Sequence, residues 1–243
     1  RFWVAFLEGC TENPCTVWQV MQFFPELPRT NNELGDFESW HKENWKTLLY
    51  DIDVRYNKGH LVEQVESYLK ALGSFTQEEF FSQHLLNKDK KEWYNKVWDT
   101  VTSLFYKYGR MTSWSYLEFI KILTGLSYEY SSFKMEDLSG SKSHRNGCLR
   151  VMGRDDLVWW QGANNGITTH SKEICEATEA ESRTLTEELK ERFKEKPWAR
   201  YIGYETVESA LCAFKNMFHG RRYPNIYTDM SYDRIKKAEQ VVP

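Results

Sequence analysis

Three stretches of this chain set cationic side chains beside glycine or asparagine. The first is Asp51-Ile52-Asp53-Val54-Arg55-Tyr56-Asn57-Lys58-Gly59-His60. The second runs from Tyr106-Lys107-Tyr108-Gly109-Arg110 to Trp114 and Glu118, and the third from Ser143-His144-Arg145-Asn146-Gly147 to Gly153-Arg154-Asp155-Asp156. Open backbone N–H groups at a helix N-terminus, joined by cations, are how proteins hold phosphates. Arginine adds a planar fork that grips phosphate oxygens in pairs. The ordinary alternative is that each glycine caps a helix C-terminus and each cation complements that helix's dipole.

The neighbouring carboxylates have two readings as well. Asp155 and Asp156 directly follow Arg154, which suits a plain ion pair or a helix cap. Asp51 and Asp53 share a face only on a strand-like segment; paired, they could hold a divalent ion or act as a base. Glu118, on a largely aromatic helix, would have a raised pKa if buried, as a general base for an amine requires; exposure is the simpler reading. His60 and His144 suit solvated or capping roles. Trp159 and Trp160 are adjacent, so both cannot face inward on one short element. One is free to stack on a base or line a pocket.

Apolar residues recur at helical spacing through most of the chain. Faces carry Phe2, Trp3, Phe6 and Leu7; then Val17, Trp18, Met21 and Phe24; then Phe37, Trp40, Trp45, Leu48 and Leu49. Leu61 to Leu72 reads as a helix stopped by Gly73, and Ser74 to Glu79 as a capped helix start. A long helix is predicted over Lys90 to Tyr108, ended by Gly109, with another opening at Thr112. Helices are also predicted for Ser171 to Lys196, Glu205 to Phe218 and Ser231 to Gln240. Residues 128–166 lack sustained periodicity and hold five glycines; so long a loop has a functional reason or hides short helices. Trp3, Trp18, Trp45, Trp93 and Trp98 are assigned to the core. The expectation is one all-α domain over residues 1–243, of eight to eleven helices, with a Gly-rich irregular insert at about 128–166.

The 243 residues are 41% hydrophobic, 16% aromatic and 28% charged, with a net charge of -3. Disordered chains lack such aromatic content, and nothing global marks a nucleic-acid binder, though a local basic patch would serve. No apolar run is long enough for a membrane helix. Cys10, Cys15, Cys148, Cys175 and Cys212 form no CxxC pair and read as small buried thiols of a reducing cytoplasm. The phosphate loop of nucleotide hydrolases, GxGxxG after a strand, GxSxG and HExxH are all absent. The chain opens Arg1-Phe2-Trp3-Val4 inside an apolar run, as a fragment of a longer protein would.

Phe2-Trp3-Val4-Ala5-Phe6-Leu7, Arg55-Tyr56-Asn57-Lys58-Gly59-His60-Leu61-Val62-Glu63, Gly109-Arg110-Met111-Thr112-Ser113-Trp114, Arg145-Asn146-Gly147 and Gly153-Arg154-Asp155-Asp156 together resemble the amino acid:DNA transferases of bacteriophages, also described as α-glutamyl/putrescinyl thymine pyrophosphorylases. The resemblance runs to about residue 165. It implies an all-α protein akin to helix-hairpin-helix DNA glycosylases, with Leu123-Thr124-Gly125-Leu126-Ser127 the candidate hairpin. The implied substrate is double-stranded phage DNA, in the cytoplasm of the infected bacterium, whose thymine-like base carries a pyrophosphorylated hydroxymethyl group. An amine from an amino acid or polyamine displaces the pyrophosphate.

That chemistry asks for three things. Cations must take up the leaving pyrophosphate: Arg55, Lys58, Arg110, Arg145 and Arg154, with Asn146 beside them. A carboxylate must take the nucleophile's proton: Asp155 first, then Glu118 and Asp51. An aromatic wall, Trp114 or Trp159, must receive the extruded base. A divalent cation such as Mg would suit the leaving group, and the sequence neither requires nor forbids one. The expectation is that the three basic stretches converge. The competing readings are a DNA glycosylase or lyase, whose Lys or Asp attacks or stabilises the sugar C1′, and a non-catalytic helical DNA-binding module.

Overall fold

Helix signals in the sequence translate directly into elements. Thr30 accepts from the Glu33 N–H while Glu33 returns a bond to the Thr30 N–H, and Thr76 and Glu79 repeat this capping box. Asn13, with Pro14 behind it, starts a helix by accepting from the Cys15 N–H. The computed structural model describes residues 1–51, 54, 57–84, 89–126, 128–135, 142–159, 169–218, 220 and 226–241. Among these every regular element is helical. The α-helices are α1 (Phe2–Thr11), α2 (Pro14–Phe23), α3 (Asn31–Asn44), α4 (Leu61–Leu72), α5 (Gln77–Glu79), α6 (Lys90–Leu104), α7 (Arg110–Thr124), α8 (Lys142–Val151), α9 (Lys172–Phe193), α10 (Tyr204–Phe218) and α11 (Ile226–Val241). No helix of the described residues is long and apolar enough to cross a membrane.

The chain packs as two compact units. Unit 1 holds Arg1–Glu129 and Thr228–Pro243, and unit 2 holds Tyr130–Tyr227. The core of unit 1 is aromatic and gathers on Phe6 of α1. Its ring stacks on Tyr68 of α4 at 4.2 Å between centroids and on Tyr108 at 5.8 Å. Phe105 and Tyr116 meet it edge-on, the geometry that ring quadrupoles favour. Gly9 lets α1 lie against α7, since a Cβ there would come within 2.8 Å of the Tyr116 Cβ.

Unit 2 is built on α8, α9 and α10 around a smaller apolar cluster of Phe133, Met135, Cys148, Val207 and Leu211. Gly147 permits the α8–α10 crossing: a Cβ there would stand 2.0 Å from the Leu211 carbonyl oxygen. The Glu179 carboxylate of α9 accepts from the backbone N–H groups of Phe133 and Met135. Arg183 holds that carboxylate and also donates to the Ser131 carbonyl.

Several expectations are corrected. Of the two readings of 128–166, hidden short helices are what the structure shows, namely α8 and a short 3-10 turn (Asp155–Leu157). The periodicity was hidden because α8 buries His144, Arg145 and Asn146 in place of aliphatic residues. α6 stops at Leu104, and Gly109 caps the start of α7 instead of ending α6. Trp18 is 40% exposed, whereas Trp3, Trp93 and Trp98 are buried. The candidate hairpin is a helix end: Gly125 takes a left-handed φ of 73° to cap α7, and residues 128–135 are not helical.

Candidate functional site

In unit 1 the second basic stretch forms the mouth of α7. Gly109 is the N-cap and contributes no side-chain bond, and no acidic residue occupies the first turn. Arg110 follows as the first helical residue. A cation at the positive end of the helix dipole opposes the usual preference, yet this one is only 7% exposed. Its guanidinium lies 4.9 Å from the ring centroid of Trp114, one turn on, so the indole face offsets part of the charge. Trp114 is itself buried and meets Trp98 edge-on. Glu118, a further turn along, is half-buried. The first stretch contributes Asp51, buried and donating its N–H to the Thr11 carbonyl, and Lys58, whose Nζ donates to the Lys46 carbonyl at 2.7 Å. Arg55 and Asp53 lie outside the described residues.

In unit 2 the third stretch becomes α8 and its exit. The Arg145 side chain is 1% exposed; Nη2 donates to the Met135 carbonyl at 2.6 Å and Nη1 lies 3.2 Å from His170 Nδ1. His170 Nε2 sits 2.8 Å from the Leu157 carbonyl, which can only accept. The ring therefore carries its proton on Nε2 and presents a lone pair at Nδ1 to Arg145. Burial, reinforced by the charges of Arg145 and Lys142 and opposed by the Leu157 carbonyl, holds the His170 pKa below its ordinary value. One residue earlier, His144 Nδ1 meets Glu208 Oε1 of α10 at 3.1 Å, both largely buried.

Asn146 fixes Trp159. Its Oδ1 accepts from the Trp159 N–H at 2.9 Å and its Nδ2 donates to the Trp159 carbonyl. Lys142 Nζ stands 4.2 Å from the Trp159 ring centroid. One amide thus positions an aromatic ring that carries a cation on its face. Trp160 lies outside the described residues.

Beyond α8 the ordinary reading of the glycine holds. Gly153, at φ 70°, ends the helix with two backbone bonds, Gly153 N–H to Arg150 O and Arg154 N–H to Leu149 O, the left-handed cap that glycine favours. Arg154 forms a two-pronged bond to Asp156, both distances 2.9 Å, in water. This pairing draws the Asp156 pKa down and the Arg154 pKa up. Asp155 is exposed and accepts from Arg150 Nη1 at 2.8 Å; the Arg150 guanidinium also covers the Phe218 ring at 4.4 Å.

Asp51, Lys58, Arg110, Trp114 and Glu118 accordingly belong to unit 1, and Arg145, Asn146, Arg154, Asp155 and Trp159 to unit 2. Within unit 1 the structure joins Arg110 to Trp114; within unit 2 it joins Asn146 to Trp159. Sequence reasoning missed His170, Lys142 and Arg150, whose partners become visible only once α8 is seen to be a helix. Among the described residues no group of three or more His, Cys, Asp or Glu side chains could hold a metal ion.

The amino acid:DNA transferase family matches residues 1–223, and this chain belongs to that family. A curated relative, the serinyltransferase of Salmonella phage ViI, is 29% identical over 249 residues, covering 100% of this chain and 60% of that protein. This chain thus spans about 60% of that relative's length. No solved structure matches.

Proposed function

We propose that this protein transfers an amino acid onto a pyrophosphorylated thymine-type base of phage DNA. A nucleophilic group of the amino acid, its amine or in serine its hydroxyl, attacks the methylene carbon on C5. The carbon–oxygen bond to pyrophosphate breaks, and the nucleophile's proton passes to a carboxylate. Membership of the family carries the reaction class. The observation in the structure that supports the chemistry is Arg110, a cation kept nearly buried at an uncapped helix N-terminus where helix stability alone would disfavour it. The relative's name points to serine as the donor to try first.

Arg55, Lys58, Arg110, Arg145 and Arg154 are each proposed as a cation for the leaving group, to be tested singly. Asp155, exposed and able to meet a substrate, is the first carboxylate to test as base, followed by Glu118 and Asp51. Trp114 and Trp159 are the aromatic walls proposed for the extruded base, and Asn146 holds Trp159. A divalent cation such as Mg would add Lewis-acid help to pyrophosphate departure, while each step above uses the chain's own residues.

The test is nucleoside mass spectrometry of duplex DNA carrying the activated base, incubated with the protein and one donor at a time. An intact strand whose base carries the donor residue in place of the diphosphate, together with released pyrophosphate, is the expected product. Abasic sites would establish a glycosylase instead, and unchanged DNA with every donor would leave only a binding module.

A further inference from the structure

At the N-terminal end of α4, unit 1 buries polar side chains whose polar atoms meet nothing. Asn57 and Gln64 are both 0% exposed, and neither the oxygen nor the nitrogen of either amide has a hydrogen-bond partner. His41 of α3 is 5% exposed and its Nε2 is likewise unpartnered. The turn at Asn57 runs straight into α4, since the His60 N–H donates to the Asn57 carbonyl at 2.8 Å and the Gln64 N–H to the His60 carbonyl at 3.0 Å. The His41 ring faces the same end of α4, where it meets the backbone of Lys58. Gln64 sits on the inward face of α4, one turn before the core residue Tyr68. Buried amides are nearly always hydrogen-bonded, because each gives up its bonds to water on burial. Two idle amides and an idle imidazole nitrogen at one helix end therefore point to a missing uncharged partner with several donors and acceptors.

We infer that Asn57 and Gln64 read the imide edge of the extruded thymine-type base. That edge presents acceptor, donor, acceptor: O4, N3–H and O2. One amide oxygen accepts from N3–H while its nitrogen donates to a flanking carbonyl, and the second amide donates to the other carbonyl. His41 stands as a third neutral group, since burial holds its pKa below the ordinary value. C5, where the transfer takes place, lies outside the edge being read, so recognition does not obstruct reaction.

The inference deepens the proposed function and rests on it for the identity of the base, so its test is a binding measurement that needs no turnover. The full chain is titrated with two duplexes, each holding 5-hydroxymethyluracil in a mismatch, one of them methylated at N3. Wild type is expected to prefer the unmethylated base at least tenfold. Gln64→Met and Asn57→Leu, near-isosteric and apolar, are expected to abolish that preference. They should keep the affinity for unmodified duplex and unfold at the same or higher urea concentration. Equal binding of both duplexes by wild type, or a preference retained by both folded variants, would overturn the inference. Should either apolar variant fail to fold, Gln64→Leu or Asn57→Ala, which likewise remove the amide oxygen that would accept from N3–H, replaces it with the same expected outcome. Failure of amino acid transfer on activated DNA would remove the proposed reaction without touching this result.

Discussion

The two units are held together by different physics. Unit 1 is an aromatic solid: Phe6, Tyr68, Phe105, Tyr108 and Tyr116 interlock by stacking and edge contacts. Unit 2 has a modest apolar cluster and depends on polar pairs, Arg145 with Met135 and His170, His144 with Glu208, and Glu179 with two backbone N–H groups. Buried polar groups also occur in unit 1, at Asn57 and Gln64, but there they are left idle. The contrast separates polar side chains whose hydrogen bonds tie segments of the fold together from amides that make none.

Mutation can break that contrast, beginning with the deepest packing. Phe6→Ala should remove about 3–5 kcal/mol of stability, as large-to-small changes at buried aromatics do, read from urea unfolding. Arg145→Met should come next. It strips the Met135 carbonyl and His170 Nδ1 of a donor, at about 1–3 kcal/mol for each group left unsatisfied. By the same measurement Gln64→Met in unit 1 should cost nothing, and an equal loss at both positions would erase the distinction.

Acid sharpens the comparison further. The folded pKa values of His41 and His170 are both held down, chiefly by burial, so the unfolded chain binds protons first. Stability should be full above the usual histidine value of about 6.5 and decline as pH falls below it. His170→Gln should flatten that decline in urea titrations run between neutral and mildly acid pH. The smallest structural effect belongs to Arg154→Ala. Its ion pair with Asp156 is fully exposed, so unfolding should not change, whereas transfer to activated DNA should slow and the salt dependence of DNA affinity should become shallower.

Unit 1 was largely legible because its core obeys helical periodicity, with Leu61, Val65, Tyr68 and Leu72 as the plainest case. α8 was not, because His144, Arg145 and Asn146 occupy positions where a hydrophobic pattern is sought, and their partners Glu208, His170 and Trp159 lie 64, 25 and 13 residues away. Glycine was ambiguous for a similar reason. Gly153 is a helix cap, Gly109 a helix start and Gly147 a point of close approach, roles that composition does not separate. Of the candidate site, the pairing of Arg110 with Trp114 was within reach of i to i+4 spacing. The clamp on Trp159 was not.

Each unit also encloses two thiols, Cys10 and Cys15 in one, Cys148 and Cys175 in the other. Burial pushes the Cys10 and Cys148 thiols upward, Cys148 to about 11, so at neutral pH neither offers appreciable thiolate to an alkylating reagent. Labelling must then wait for the surrounding helices to part. With the half-buried Cys212 replaced by serine, the remaining cysteines are a built-in pair of clocks, one timing the opening of the ring-packed half and the other that of the hydrogen-bonded half.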